Sequence, residues 1–269
     1  MRFREDMTRE YISQVPLALA LERLAEAALY RDKPFESPVL DVGCGDGLFA
    51  SICMAEVIDV GIDPDLRELD AARKTGAYGQ LIPCYGSAIP KEDSTFGTAI
   101  SNSVLEHIPD IRSVMREVLR VLKPGGNFYF TVPSDKFYSY SVLGSILSVF
   151  GLQTMQRGFH KRYNRFWKHF HDYSLDGWCN LARDCGYEVV EAYTYNRAAN
   201  CRINDALVPF GGAGKVNKML NNQWVLSPKF RRRTVGLLHS GFDSLLKDAG
   251  PTRDGGLVFL WVRKPNESA

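Results

Sequence analysis

A glycine-rich loop directly follows an apolar run near the start of the chain, and it limits the folds that the sequence can adopt. The run at 39–42 is followed by Gly43, Gly45 and Gly47, which alternate with two other residues. Glycine permits positive φ and lets a ligand approach the backbone where a Cβ would block it. A turn of this kind between a strand and a helix lies at the carboxyl edge of open α/β sheets, where ligands bind.

Apolar runs and amphipathic runs alternate along the chain on both sides of this loop. Helices are predicted over 8–31, 48–54, 66–74, 111–122 and 174–184, and strands over 39–42, 57–62, 81–85, 98–101, 127–132, 187–195 and 257–262. The strand runs are continuously apolar, which is typical of parallel strands buried on both faces. The sequence therefore predicts an α/β fold with a mostly parallel sheet between two layers of helices.

The spacing of the glycines within the loop restricts the class of ligand that the loop can bind. A dinucleotide-binding G-x-G-x-x-G motif would place its third glycine at position 48, which is Leu48, whereas the third glycine here is Gly47. No Lys-Ser or Lys-Thr pair follows, so a phosphate-binding P-loop is excluded. Asp63 ends the second strand, about twenty residues downstream, where a carboxylate can accept hydrogen bonds from ribose hydroxyls. A ligand-free turn with a polar strand end is the alternative, but the loop and the acid together favour a nucleoside ligand.

Four segments carry a specific resemblance to a known family. LDVGCGDG, GIDPD, SVLEHIPD and VLKPGGNFYFTVP occur in this order over residues 38–133. They resemble the class I S-adenosylmethionine-dependent methyltransferases, and among these the type 11 or ubiquinone-methyltransferase-like branch. The resemblance implies a Rossmann-like methyltransferase fold with a seven-stranded, mostly parallel sheet whose last two strands are antiparallel. It also implies an enzyme that uses S-adenosyl-L-methionine and releases S-adenosyl-L-homocysteine.

The resemblance further assigns cofactor contacts to residues of this chain. Asp41 would orient the loop or the methionine ammonium, and the loop glycines would pack under the amino-acid part. Asp63 would hold the ribose, Ser87 would flank the adenine in place of the family's common Asp, and the end of the fourth strand would lie near the sulfonium. The implied cofactor-binding residues are Asp41, Gly43, Gly45, Gly47, Asp63, Pro64, Ser87, Ala88, Ser101 and Asn102.

Two histidines are candidate catalytic groups. Methyl transfer depends chiefly on positioning, and a general base is needed only if the acceptor loses a proton. His107 follows the fourth strand and would face the space between cofactor and acceptor, while His171, close to His169, would return the cap toward the sheet edge. The alternatives are structural: His107 and Glu106 would shape a turn, and the two later histidines would pack the cap.

Two long insertions interrupt the alternation of strands and helices. Insertions of this length in one sheet domain more often build a lid over a site than an independent domain. We therefore predict one methyltransferase domain over 1–269. Its parts are an N-terminal helical segment at 1–37, a cofactor-binding core at 38–133, and cap insertions at 137–172 and 197–255.

The first insertion does not identify the acceptor of the methyl group. Residues 137–152 are apolar nearly all round a helix, and basic residues without any acid follow them; a second basic group lies at 229–233. The apolar segment could be a buried cap helix, an interfacial anchor on an anionic membrane surface, or the lining of a pocket for a small, hydrophobic, sugar-linked or lipid-linked acceptor. Nucleic acid is disfavoured as the acceptor, because no N-P-P-Y-type motif and no separate nucleic-acid module are present.

Composition and charge predict where the protein is located and which kinds of ligand it binds. The chain has 269 residues, 24% of them charged, and a net charge of +2, too small to indicate nucleic acid by itself. The first ten residues carry both signs of charge, and no apolar run reaches the ~18–20 residues of a membrane span. A cytoplasmic location is therefore expected. The six cysteines form no C-x-x-C pair and no tight Cys/His cluster, so no metal site is predicted.

Two other functions remain open at this point. One is an NAD-dependent dehydrogenase, which the glycine spacing disfavours. The other is a methyltransferase-like fold that binds a partner without catalysis. The sequence does not indicate the oligomeric state.

Overall fold

One mixed sheet, with helices on both faces, forms the centre of the protein in a computed structural model that describes residues 1–4 and 7–266. The strands are β1 (Val39–Val42), β2 (Ile58–Asp63), β3 (Tyr78–Pro83), β4 (Phe96–Asn102), β5 (Leu122–Pro133), β6 (Glu188–Arg197), β7 (Pro251–Thr252) and β8 (Gly255–Arg263). The helices are α1 (Thr8–Gln14), α2 (Leu17–Tyr30), α3 (Leu48–Cys53), α4 (Leu66–Thr75), α5 (Ile111–Val121), α6 (Val142–Val149), α7 (Gln153–Trp167), α8 (Leu175–Asp184), α9 (Ala198–Leu207), α10 (Gly212–Asn221), α11 (Pro228–Thr234) and α12 (Gly236–Lys247). Two 3₁₀ turns lie at Leu105–His107 and Val208–Gly211.

The strands lie in the order β3-β2-β1-β4-β5-β8-β6-β7. Strands β1 to β5 are parallel to one another, and β8 lies antiparallel between β5 and β6. The predicted α/β fold and its antiparallel final pair are confirmed. The described residues contain eight strands rather than the seven expected, because the two-residue β7 adds an edge to β6. A strand of that length gives no periodicity that a sequence reader can detect.

Successive residues of β1 pack against different helix layers. Leu40 belongs to a core with α5 and α8, whereas Val39, on the opposite face, belongs to a core with α2 and α3. Both side chains are fully buried. This explains the continuous apolar runs, because a strand covered on both faces needs apolar residues at every position.

Two predicted boundaries were wrong for physical reasons. The single helix expected over 8–31 is two helices, because Pro16 has no N–H to donate and the residue before a proline is forced out of the helical region. Val15 is accordingly extended, with φ of −130° and ψ of 166°. The strand expected at 81–85 begins earlier and ends earlier, because pairing of β3 with β2 sets its limits.

The two insertions are helical and contact each other. Asp205 of α9 accepts hydrogen bonds from the Val142 backbone N–H of α6 at 2.8 Å and from the Tyr163 hydroxyl of α7 at 3.0 Å. One carboxylate therefore joins both insertions, although the division into core and cap stays a prediction. Within residues 1–4 and 7–266, no helix combines the length and the apolarity needed to cross a bilayer.

Candidate functional site

The glycine loop turns sharply over the end of β2. Gly43, Gly45 and Gly47 have φ of +77°, +54° and +74°, a region that disfavours other residues. The backbone N–H groups of Gly43 and Cys44 both donate to the Ile62 carbonyl, at 2.9 and 3.0 Å. A Cβ on Gly43 would lie 2.6 Å from Val104 Cγ1, whereas a Cβ on Gly45 would meet nothing within 4 Å. The loop is thus packed tightly behind Gly43 and open in front of Gly45.

Asp63 fixes the loop from the neighbouring strand. Its carboxylate accepts hydrogen bonds from the backbone N–H of Gly45 at 3.1 Å and from that of Asp65 at 2.8 Å. Burial raises the pKa of Asp63 above its usual value. Each carboxylate oxygen can accept more than one hydrogen bond, so capacity remains for ligand hydroxyls.

Asp41 lies beneath the loop and is buried. The Tyr78 hydroxyl donates to it at 2.7 Å. Burial raises the pKa of Asp41 to about 7, because a charge is costly away from water, although the bond from Tyr78 acts in the opposite direction. A ligand cation in front of Asp41 would stabilise its ionised form.

A cavity of about 550 Å³ lies in front of the loop. Among the described residues, six of the predicted site residues line it: Asp41, Gly43, Gly45, Asp63, Asn102 and His107. The loop and the two carboxylates come from β1, from the turn after it and from the end of β2, whereas Asn102 and His107 come from the end of β4 and the turn after it. A pocket of this size suits a small molecule or a cofactor.

Of the other predicted cofactor contacts, none lines this cavity. Gly47 packs against α4, where a Cβ would lie 3.0 Å from the Ala72 backbone. Ser101 is buried, and its hydroxyl donates to the Val42 carbonyl at 2.9 Å, which ties β4 to β1. The remaining three are exposed and follow β2 or β3: Pro64, Ser87 and Ala88. Their contacts with a cofactor stay predictions.

His171 lies outside the cavity, at the entry to α8, and its catalytic role stays a prediction. Its Nε2 lies 2.9 Å from the Ile108 carbonyl oxygen and its Nδ1 lies 3.2 Å from the Tyr173 hydroxyl. Both ring nitrogens therefore have partners in the protein, and His171 does not line the cavity. Its position supports the alternative, that it fixes the entry to α8.

His107 does line the cavity, and two residues accompany it that sequence reasoning had assigned only to turn and cap packing. The ring centroids of His107 and His169 are 5.2 Å apart, and His107 Nε2 lies 3.7 Å from Glu106 Oε1. Burial lowers the pKa of His107, lowers the pKa of His169 to about 4, and raises the pKa of Glu106 to about 8. Ligand atoms of the three side chains all lie within 4.8 Å of one another.

Helix α2 supports the same part of the cavity through a buried polar cluster. Glu26 accepts hydrogen bonds from Ser103 at 2.7 Å and from Thr131 at 2.8 Å, and it pairs with Arg23 at 2.6 Å. Arg23 lines the cavity and also donates to the Asn102 carbonyl at 3.3 Å. Polar residues on an otherwise apolar helix face were the sequence signal for this cluster.

A lysine of the cap closes over the loop from the other side. Lys218 of α10 is buried and contacts Asp46 of the glycine loop at 2.8 Å and Glu68 of α4 at 3.0 Å. The Trp224 indole also donates to Asp46, at 3.0 Å. We call Lys218, Trp224, Asp46 and Glu68 the cap clasp. No local pattern in the sequence indicated it, because its parts are far apart along the chain.

Comparisons with known proteins agree with this geometry. The methyltransferase-domain family matches residues 3–192, well over half of the chain. An uncharacterized methyltransferase from Mycobacterium sp. (strain JLS) is 37% identical over 89 residues, which cover 33% of this chain and 35% of that protein. One from Mycobacterium tuberculosis is 37% identical over 102 residues, covering 37% and 40%. The matched segment therefore spans less than half of these curated relatives.

Solved structures show the same fold. A SAM-dependent methyltransferase from Thermotoga maritima has a TM-score of 0.56 at 18% identity, covering 92% of this chain and 91% of that one. Geranyl diphosphate C-methyltransferase from Streptomyces coelicolor has a TM-score of 0.54 at 12% identity, covering 89% and 77%. The type 11 branch stays a prediction. The family match and the cavity together show that the chain belongs to the class I S-adenosylmethionine-dependent methyltransferases.

Proposed function

We propose that this chain transfers a methyl group from S-adenosylmethionine to a small-molecule acceptor. The observation that carries the proposal is one cavity that the glycine loop, Asp41, Asp63 and His107 all line. Asp41 would face the cofactor ammonium, and Asp63 would accept hydrogen bonds from the ribose. Gly45 leaves open space in front of the backbone, which the amino-acid part of the cofactor can fill.

The bound cofactor would supply a methyl group on a positively charged sulfur. The protein then has to hold the acceptor in line with that methyl group and keep water out. A hydroxyl acceptor must also lose its proton. Burial lowers the pKa of His107, which favours the neutral imidazole, whose unprotonated ring nitrogen would assist that loss.

Calorimetric titration tests the cofactor assignment. S-adenosylmethionine and S-adenosylhomocysteine should each bind at one site per chain, and NAD should not bind. Binding of NAD alone would favour a dehydrogenase, and absence of nucleotide binding would favour a partner-binding role. Transfer of a labelled methyl group to a panel of hydroxyl-bearing and amine-bearing small molecules then tests turnover.

The proposed acceptor is hydrophobic, or linked to a sugar or a lipid. Apolar side chains at the junction of α1 and α2 and in α2, including Val15 and Leu19, line the cavity. The first insertion also exposes apolar side chains: only Gly144 and Leu147 of α6 are buried, whereas Val149 is 83% exposed. This exposure favours the membrane-contact and pocket-lining interpretations of residues 137–152 over that of a buried cap helix.

The adjoining helix α7 supports contact with an anionic membrane surface. Arg157, Lys161 and Arg165 are exposed at i, i+4 spacing, so they share one face of the helix. Apolar side chains beside a basic face are typical of helices that lie on anionic lipid. A cap docked in this way would present the cavity to a lipid-linked acceptor. The protein would then lie on the membrane surface and would not span it.

Sedimentation with vesicles tests the membrane contact. The chain should sediment with phosphatidylglycerol vesicles and much less with phosphatidylcholine vesicles. The variant with Arg157→Glu, Lys161→Glu and Arg165→Glu should lose most of the bound fraction, while Lys74→Glu on α4 should not. Equal sedimentation with both lipids, or no effect of the charge reversal, would remove membrane contact without affecting the cofactor assignment.

A further inference from the structure

We propose that Glu106, His107 and His169 bind a divalent transition-metal cation of the zinc type next to the cavity. The first observation is their convergence. Glu106 and His107 are adjacent in a 3₁₀ turn after β4, and His169 comes from the cap. The Phe170 backbone N–H donates to the Glu106 carbonyl at 2.8 Å and so holds the cap segment against that turn. The ligand atoms of all three side chains lie within 4.8 Å of one another.

The second observation is a buried carboxylate oxygen. Glu106 is only 2% exposed, and within the described part of the chain its Oε2 has no hydrogen-bond partner. A buried polar atom without a partner is costly. Its other oxygen, Oε1, lies 3.7 Å from His107 Nε2. A cation between the carboxylate and the two imidazoles would satisfy this group directly.

The third observation concerns the orientation of His107. Its Nδ1 lies 3.2 Å from the Lys168 carbonyl oxygen, which can only accept, so Nδ1 carries the proton. The lone pair then lies on Nε2, the atom next to Glu106. Histidines that bind metals almost always donate their other ring N–H to a carbonyl or carboxylate in this way. Lys168 is the left-handed C-cap residue of α7, with φ of +57°, so the end of that helix places the carbonyl next to His107.

The donor set selects the metal class. Two imidazoles and one carboxylate suit zinc and related transition metals, whereas magnesium and calcium prefer oxygen ligands. In a tetrahedral zinc site with bonds of ~2.0–2.1 Å, ligand atoms are about 3.3 Å apart. The three side chains would therefore have to move inward by roughly an ångström. Catalytic zinc sites use three protein ligands and leave one position open, and that position would face the cavity that His107 lines.

This inference rests on the proposed methyltransferase function, which it makes more specific. With the metal bound, His107 would hold the cation and would not act as the base, because its one lone pair would be on the metal. An acceptor hydroxyl in the open position would instead have a lowered pKa and would release its proton to solvent water. The oxygen would then form a bond to the methyl carbon as the sulfur–methyl bond breaks, and the electron pair of that bond would remain on the sulfur of S-adenosylhomocysteine. The acceptor class is therefore a hydroxyl-bearing small molecule.

The test is metal binding by the full chain after treatment with a chelator. Zn²⁺ should bind at one site by calorimetry, and Co²⁺ should give the visible absorption of a four-coordinate site with nitrogen and oxygen ligands and without sulfur-to-metal charge transfer. Glu106→Gln and His169→Ala should each weaken Zn²⁺ binding about 100-fold, because each removes one ligand. His160→Gln, a change at another histidine of the first insertion, should leave it unchanged.

Cofactor binding measured on the same samples separates the possible failures. Retained S-adenosylmethionine binding in Glu106→Gln and His169→Ala would show that the variants are folded. If the wild type binds S-adenosylmethionine but no Zn²⁺, or if both ligand variants bind Zn²⁺ as tightly as the wild type, the metal site is overturned and the methyltransferase proposal stands. If no S-adenosylmethionine binds, the proposed function itself fails.

Discussion

The sheet edge and the cap of this protein differ in the way they use apolar side chains. In the sheet, Leu40 and Phe128 are fully buried and the glycine loop is tied to β2 by backbone hydrogen bonds. In the cap, Val149 and Leu226 are more than four-fifths exposed. Apolar side chains of the sheet are thus covered by other parts of the chain, whereas exposed apolar side chains of the cap are available for contacts with other molecules.

The largest effect should come from a Cβ at Gly43. Gly43→Ala would add the cost of a left-handed conformation, ~1–2 kcal/mol, and a clash with Val104 of similar size. We expect the free energy of unfolding to fall by about 2–4 kcal/mol and cofactor binding to be lost. Denaturant unfolding and calorimetry measure both quantities.

Gly151 of the cap is the matched control for this change. It also has positive φ, at +66°, but a Cβ there would meet nothing within 4 Å. Gly151→Ala should cost only about 1 kcal/mol and leave cofactor affinity intact. Equal losses at the two positions would mean that the sheet edge is no more tightly packed than the cap.

Asp63→Ala should produce the next largest effect. The change removes the acceptor of the Gly45 N–H and the proposed acceptor of the ribose hydroxyls. Two lost hydrogen bonds to a charged group correspond to about 100-fold weaker S-adenosylmethionine binding. Asp63→Asn retains one carbonyl oxygen, so its affinity for S-adenosylmethionine should lie between those of the wild type and Asp63→Ala. Equal affinity of Asp63→Ala and the wild type would contradict the assignment.

Lys218→Met tests whether the cap clasp contributes to the cofactor site. The variant leaves Asp46 and Glu68, which are partly solvent-exposed, without their cation, so we expect a loss of stability of about 1–2 kcal/mol. Cofactor affinity should fall about tenfold, because Asp46 belongs to the glycine loop. Lys161→Met, at an exposed position on α7, should change neither quantity. An unchanged affinity in Lys218→Met would show that the sheet edge functions independently of the cap.

The smallest effect is a pH dependence at Asp41. Because burial raises its pKa in the folded protein to about 7, folded chains retain a proton that unfolded chains lose near pH 4. Stability from this group is therefore full below pH 4 and declines as the pH rises toward 7. The ionised form is the one that binds a ligand ammonium, so S-adenosylmethionine affinity should rise about threefold between pH 6.5 and 7.5. Asp41→Asn should remove that rise, and an unchanged pH profile in this variant would contradict it.

The sequence was sufficient to predict those features whose geometry is determined by residues within one short segment. The glycine loop, the strand before it and Asp63 could be predicted because their geometry depends on glycine conformation and on apolar runs. The contact of His169 with His107 could not, because it depends on the cap folding back from a distant part of the chain. The same holds for Lys218. Ser101 shows a different limit: its position at the end of β4 was predicted, but the sequence does not show that its hydroxyl donates to Val42.

The second insertion leaves the sheet and returns to it at one place. Arg197, the last residue of β6, lies opposite Gly255, the first residue of β8, in the antiparallel register. Residues 198–254 therefore span two backbone points that are already neighbours, and β6 and β8 would pair in the same way if a tight hairpin joined them. Of the sheet, this segment contributes only the two-residue edge strand β7. We therefore expect that the segment can be exchanged while the seven longer strands stay paired, which makes it a suitable place to test, by design, whether the cap sets acceptor choice.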